Sequence, residues 1–273
     1  MKKPLIIVRG GGDLATGTIH RLWSAGFPVL VLEAEHPAAV RRQAAVCEAV
    51  YDGECIVEEM KAVRIACMEE AEGVIRSGAV PVLVDPAGAC IAALSPAVVV
   101  DAIIAKKNLG TNREMAPLTI ALGPGFEAGV DVDVVVETKR GHHLGRVIRS
   151  GSAIPNTGVP GKIGGYAAER VIHSPAEGII RHKSRIGAVV SAGAVIAEIV
   201  QPDGRTCPVE ATISGVLRGL IREDYPVTKG LKIADIDPRE EEVENCVTIS
   251  DKARGIAGGV LEAVIASMEA DAF

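Results

Sequence analysis

Gly10-Gly11-Gly12-Asp13 breaks an apolar run in "IIVRGGGDLATGT", residues 6–18. With Leu14 and Ala15 it fits G-x-G-x-x-A between a strand and a helix. At that spacing, backbone N–H groups and the helix dipole can hold a pyrophosphate. Glu33 closes the next apolar run, near the ~20-residue spacing expected of a ribose-binding acid. Two outcomes stay open. Either the loop receives a nucleotide phosphate, or Asp13 caps the helix and takes the donors a phosphate would use. No Gly-Lys-Ser/Thr end follows, so this is not an ATPase phosphate loop.

A second constellation is "ALGPGFEAGVDVDVVVETKRGHHLGR", residues 121–146. Gly123, Gly125 and Gly129 can expose successive amides as an anion nest. Lys139, Arg140, His142, His143 and Arg146 bring cationic and proton-transferring groups near Glu137, a mixture suited to an anionic ligand. Glu137 and His142 are the candidates for proton transfer. The His142-His143 pair makes no metal site by itself, because neighbouring side chains on a strand point to opposite faces. "NTGVPG" (156–161) reads as a connection, or as a lid that brings Asn156 and Thr157 to a ligand.

These residues need elements to position them. Strands are expected at 5–8, 28–35, 80–85, 97–104, 118–122 and 132–138, and helices at 13–25, 38–50 and 57–78. Such alternation implies βαβ units and a parallel sheet, with ligands beyond the carboxyl ends of the strands. Ser250 followed by Asp251 opens a C-terminal helix. Its Gly255, Gly258 and Gly259 imply close packing on the first domain or on a second subunit.

The composition narrows the function classes. The chain has 273 residues, a formal charge of −6 and six cysteines with no CxxC pair. Neither a disulfide framework nor a metal site is evident. Cys47 and Cys55, the closest pair, are the only candidates for thiol chemistry. The acidic balance argues against nucleic acid. No apolar stretch approaches a membrane span, so the chain is read as cytoplasmic.

The back half contains a repeat. "GIIRHKSRIGAVVSAGAVIAEIV" (178–200) aligns without a gap to "GVLRGLIREDYPVTKGLKIADID" (215–237). The pattern resembles the biotinyl/lipoyl-domain family, a barrel-sandwich hybrid, but "QPDGRTCPVEATIS" (201–214) has no lysine to modify. The resemblance therefore implies a structural or docking module, with Arg205 and Cys207 in the hairpin.

"VRGGGDLATG", "GPGFEAG", "ETKRGHHLGR" and "NTGVPGKIGG", in this order, resemble the selenium-dependent molybdenum hydroxylase system proteins, the YqeB-like family. That resemblance implies a factor that matures or inserts the cofactor of molybdenum hydroxylases, partnered with the hydroxylase or with another maturation factor. The expected architecture is α/β: a Rossmann-like nucleotide-binding domain (1–145), a barrel-sandwich hybrid domain (146–249) and a C-terminal helix (250–273). The expected ligand is a dinucleotide, molybdopterin dinucleotide or NAD(P), held by Gly10, Gly11, Gly12, Asp13 and Glu33. Gly123, Gly125, Arg140, Arg146, Asn156 and Thr157 would meet a second anionic group. A homo-oligomer is expected. The alternatives are an NAD(P)-dependent oxidoreductase and a non-catalytic assembly scaffold.

Overall fold

Nine strands build the larger sheet of the protein, whose computed structural model describes residues 3–156, 161 and 164–270. In chain order the first unit contains β1 (Ile6–Arg9), α1 (Asp13–Ser24), β2 (Val29–Glu33), α2 (Ala49–Asp52), β3 (Glu54–Val57), β4 (Met60–Ile65), α3 (Ala71–Arg76), β5 (Val80–Val84), α4 (Ile91–Leu94), β6 (Val98–Asp101) and β7 (Leu118–Leu122). Then come β8 (Glu127–Ala128), β9 (Val134–Val136), β10 (Val147–Ile148) and β11 (Gly151–Ser152). The sheet order is β10-β9-β7-β6-β1-β2-β5-β4-β3. Every neighbouring pair from β9 to β4 is parallel, whereas the margins β3 and β10 run antiparallel.

The expected Rossmann-like parallel sheet is corrected here, because the sheet is mixed and its crossovers are mostly not helical. Among the connecting helices only α1 is long, at 12 residues, while α2, α3 and α4 span 4, 6 and 4. The segment 38–50 folds as short 3₁₀ turns and α2 rather than one helix. The segment 57–78 carries the β3–β4 hairpin before α3. Along β4, buried Met60, Ala62 and Ile65 are interspersed with exposed Lys61 and Arg64, the near-alternation of a half-buried strand.

Helix α1 stops where the sequence indicates. Gly26 takes φ +78° just beyond its C-cap, and the Phe27 amide returns to the Leu22 carbonyl. A long helix, α5 (Asp251–Ala270), starts on Ser250, whose hydroxyl accepts the Ala253 amide at 3.2 Å. Ile19 and Leu22 of α1 share one core with Ile256, Val260 and Val264 of α5 and with the strands. The two helices approach closely because Gly17 has no side chain: a Cβ there would lie 2.7 Å from that of Ala253. At Gly259, a Cβ would lie 2.1 Å from the Gly145 carbonyl oxygen.

The second compact unit comprises the described residues of Ala38–Ala44 and Gly158–Thr248. It contains β12 (Val171–His173), β13 (Gly178–His182), β14 (Val189–Val190), β15 (Val195–Val200), β16 (Thr206–Glu210), β17 (Gly215–Leu220), β18 (Pro226–Val227) and β19 (Lys232–Asp237). They form two antiparallel sheets, β12-β19-β17-β14 and β16-β15-β13-β18. The repeat is visible in the register. Gly178 faces Val227 and Gly215 faces Val190, so each copy lends its short middle strand to the other copy's sheet. A Cβ at either glycine would fall 2.2 Å from a carbonyl oxygen, of Val200 or Asp237.

The barrel-sandwich hybrid expectation is corrected to this pair of separate four-stranded sheets. Each is widened by a strand from outside the repeat copies, β12 or β16, and no ladder joins the sheets among the described residues. The residues 38–44 complete the unit. Val40 packs on Gly219, Arg42 donates to the Leu220 carbonyl at 3.2 Å, and Arg41 donates to those of Asn245 and Thr248.

Two outcomes test this packing. Gly259→Ala should lose about 1–3 kcal/mol through overpacking, whereas Gly258→Ala, with nothing within 4 Å of its Cβ position, should gain up to about 1 kcal/mol of helix propensity. Thermal denaturation of both variants measures the pair. Asp133 accepts hydrogen bonds from the Thr119 amide and hydroxyl and from Arg113. Burial pushes its carboxyl up, but these partners outweigh burial and hold it below its usual range. A carboxyl lowered in the fold stabilises above its unfolded pKa and loses that contribution as pH falls through the folded one. Asp133→Asn should therefore cost about 1.5–3 kcal/mol at neutral pH, with the gap to wild type closing below about pH 4 in melts recorded against pH.

Candidate functional site

The carboxyl ends of the parallel strands are closed by the protein's own acids. Glu33, ending β2, accepts the Gly11 amide at 2.6 Å and the Ala34 amide at 2.7 Å. Asp85, just after β5, accepts the Ala89 and Cys90 amides, both at 2.9 Å. Asp101, ending β6, accepts the Ile103 amide and the Thr111 hydroxyl. Glu137, just after β9, accepts the Lys139 and Ile154 amides, both at 2.8 Å.

This arrangement decides the glycine loop. Glu33 takes the Gly11 amide that a phosphate would need, and the Gly11 carbonyl accepts the Cys47 amide at 2.9 Å. A Cβ on Gly11 would meet Cys47 and Val46 at 3.1–3.2 Å, so the segment after the first 3₁₀ turn lies directly over the loop. Gly12 is the N-cap of α1 and Asp13 its first helical residue, so Asp13 is no cap and instead lies in the positive end of the dipole. Burial first, then Glu33, Glu48 and Asp13, push the Cys47 thiol well above its usual range. A diphosphate at this loop would face the same carboxylates. Burial also pushes Glu33 up, against the two amides that lower it.

The second constellation is similarly committed to structure. Glu137 is 2% exposed and ties its strand end to residues 139 and 154, so it is no free base. His142 and His143 sit in an exposed turn, and no hydrogen bond joins His142 to Glu137 among the described residues. Arg140 grips Asp251 with two bonds of 2.6 and 2.9 Å. Arg146 is exposed, and its carbonyl accepts the Glu137 amide at 3.0 Å. Gly123 and Gly125 are close-approach positions rather than an anion nest. Their Cβ atoms would lie 2.4 Å from Thr138 Oγ1 and 2.6 Å from the Lys106–Lys107 peptide. Asn156 is exposed, and Thr157 lies outside the described residues.

Behind Gly10, Arg9 is 2% exposed and donates to Thr111 Oγ1 and, at 2.8 Å, to the Pro86 carbonyl. The Thr111 hydroxyl in turn donates to Asp101 Oδ2 at 2.6 Å. Burial pushes the Asp101 carboxyl up, opposed by Thr111, the Ile103 amide and Arg9. The thiol of Cys90 is pushed up to about 12 by burial and by Asp85.

A different cluster is built for chemistry. His20 projects from α1 toward the β3–β4 turn, where Glu58 takes φ +54°. Its Nε2 lies 2.9 Å from Glu59 Oε1 and 3.8 Å from Glu58 Oε2. One donor atom from each of the three residues lies within 4.8 Å of the other two. The ring rests near the Trp23 indole, centroids 5.9 Å apart. Glu58 Oε1 accepts the Ile249 amide at 2.9 Å, and Arg254 lies 2.7 and 2.8 Å from the two Glu58 oxygens.

Burial pushes Glu58 up, but the Ile249 amide and Arg254 outweigh it and hold the carboxyl below its usual range. Glu59 is lowered by its own amide and by His20. Both carboxylates are therefore anionic at neutral pH. Glu59 also lines a groove of about 450 Å³ with Glu54, Lys61, Val74, Ser77 and Gly78. The metal-type cluster is not legible in the sequence, because His20 lies 38 and 39 residues from Glu58 and Glu59 and the composition of 57–78 favours a helix. The Glu58-Glu59 pair within an alternating pattern was the available signal.

Over 264 residues, 97% of its length, the chain is 48% identical to an Escherichia coli (strain K12) protein described as "Uncharacterized protein YqeB". The likeness to that protein runs through nearly the whole of this chain. It spans about half of the relative, 48% of that protein's length. No family model matches. Among solved structures, the apo ectoine utilization protein EutE (DoeB) from Ruegeria pomeroyi aligns at TM-score 0.28 and 10% identity, covering 86% of each chain. An aspartoacylase family protein from Mesorhizobium loti aligns at TM-score 0.27 and 9% identity, covering 86% of this chain and 85% of its own. Likeness at that level carries no argument about this chain.

The maturation-factor reading is corrected: the relative's description supplies no tie to molybdenum hydroxylases, and Glu33 takes the Gly11 amide on which that reading relied. The oxidoreductase alternative relied on the same loop. Among the described residues no helix is long and apolar enough to cross a membrane.

Glu137→Ala should leave the Lys139 and Ile154 amides without their acceptor and cost about 2–6 kcal/mol, at about 1–3 per unpaired group. Chemical denaturation checks this. A variant as stable as wild type would return Glu137 to the list of functional acids.

Proposed function

We propose that the chain binds a divalent cation of the zinc type at His20 Nε2, Glu59 Oε1 and Glu58 Oε2 and uses it for hydrolysis in the adjoining groove. The observation that carries this reading is the spacing of the donors. With metal–ligand bonds near 2.0–2.1 Å, the edge of a tetrahedron is about 3.3 Å. The two His20 separations, 2.9 and 3.8 Å, straddle that value, and all three donors lie within 4.8 Å of one another.

Three protein ligands leave a fourth position for water, the pattern of a catalytic rather than a structural zinc site. An ion held by His20, Glu58 and Glu59 would supply Lewis acidity toward a bound water at neutral pH. One imidazole and two carboxylates suit a first-row ion with mixed nitrogen and oxygen preference better than calcium. Glu58 is itself hydrogen-bonded, the outer support that ligating carboxylates need. The groove beside Glu59 gives a substrate access.

Calorimetric titration of the chain with Zn²⁺ tests the proposal. One ion should bind per chain, and His20→Ala or Glu59→Gln should each weaken binding by roughly tenfold or more. Zinc-loaded protein should hydrolyse an activated aryl ester, and the Glu59→Gln variant should not. Uptake that ignores both substitutions removes the site.

A further inference from the structure

Glu58 has two anchors of different kinds, and the difference suggests how the site is controlled. One is the Ile249 amide at 2.9 Å, a backbone group fixed at the start of α5. The other is Arg254, whose terminal nitrogen lies 2.7 Å from Oε1 and 2.8 Å from Oε2. Resting on the cation site proposed above, we infer that Arg254 stands in for the ion, leaves when the ion arrives, and then holds an anionic substrate beside it.

The geometry supports each part. Oε2 serves both the guanidinium and, at 3.8 Å, the space shared with His20 Nε2. A dication on Oε2 would sit against a second positive charge on the same oxygen, and like charges in such proximity repel. Arg254 is the partner that can yield. Its side chain is 44% exposed while that of Glu58 is 18% exposed, and its backbone amide is already held by the Ser250 carbonyl at 2.9 Å. Only the side chain needs to swing.

Glu58 does not drift when Arg254 leaves, because the Ile249 amide still holds Oε1. Once released, the guanidinium remains tethered within one side-chain length of the ion. Its planar fork of donors matches a carboxylate or a phosphate, and a second cation beside the metal favours a substrate bearing such a group. The preferred substrate class is therefore an anion with a hydrolysable bond, with a neutral activated ester serving only as a generic probe of the site.

The experiment uses the full chain and three variants, Arg254→Gln, Arg254→Lys and His20→Ala, with folding checked by circular dichroism. Zn²⁺ affinity is measured by calorimetry with and without acetate as the carboxylate probe. Arg254→Gln should bind Zn²⁺ roughly threefold to fivefold more tightly than wild type, the range set by losing one exposed ion pair. Arg254→Lys keeps the charge and should stay close to wild type. Acetate should strengthen Zn²⁺ retention by wild type and leave Arg254→Gln unchanged. If Arg254→Gln and wild type match in affinity and in their response to acetate while His20→Ala loses the ion, the gate is wrong and the cation site stands. If wild type, Arg254→Gln and His20→Ala are indistinguishable, the cation site itself fails and the gate goes with it.

Discussion

Buried carboxylates that accept loop amides govern the functional end of the larger sheet. A parallel sheet delivers each strand into a loop at the same edge, and every such loop brings backbone N–H groups that must find partners. In many α/β proteins a bound anion or water serves. Here Glu33, Asp85, Asp101 and Glu137 stand at or just after four strand ends and take those amides themselves. A charged acceptor makes a stronger bond than a neutral one, so the loops are held firmly. The edge where a ligand would conventionally sit is occupied from within.

The electrostatic consequence reaches beyond the loops. Asp13, Glu33 and Glu48 surround Cys47 with negative charge. The amino end of α1 therefore carries a favourable dipole beside carboxylates that would repel a ligand of two or more negative charges. The same helix serves a different purpose further along. His20 leans out toward the β3–β4 turn, while Gly17 admits α5 at close range. One helix thus links a closed loop, a packing face and a cluster of metal-type donors, and the last of these faces a groove.

Much of the fold was legible where periodicity and punctuation agreed. The apolar runs of β1, β2, β5 and β7 are strands buried on both faces, Gly26 ends α1, and Ser250 caps α5. The hairpin was missed because "VEEMKAVRIAC" is rich in residues that favour helices, and tertiary burial of Met60, Ala62 and Ile65 overrode that preference. The glycine loop stayed open in the sequence for a different reason. Sequence spacing placed Glu33 where a ribose-binding acid would stand, and a carboxylate there can equally reach back to Gly11. Spacing alone cannot separate these outcomes, because both need an acid at the end of the neighbouring strand. His20, Glu58 and Glu59 were invisible as a group, since only the folded hairpin brings them to one helix face.

The second unit borrows seven residues, Ala38–Ala44, from a part of the chain made long before its own strands. Val40 and the two arginines beside it find Gly219, Leu220, Asn245 and Thr248 only after roughly 180 to 200 further residues have been added. Contacts so distant in sequence carry a large loop-closure entropy and form late. The exchanged short strands β14 and β18 add a further condition, because neither copy of the repeat completes its sheet without the other. On a ribosome, this unit would remain unfinished until its residues up to Thr248 had emerged, with its apolar faces exposed to whatever chaperone is at hand.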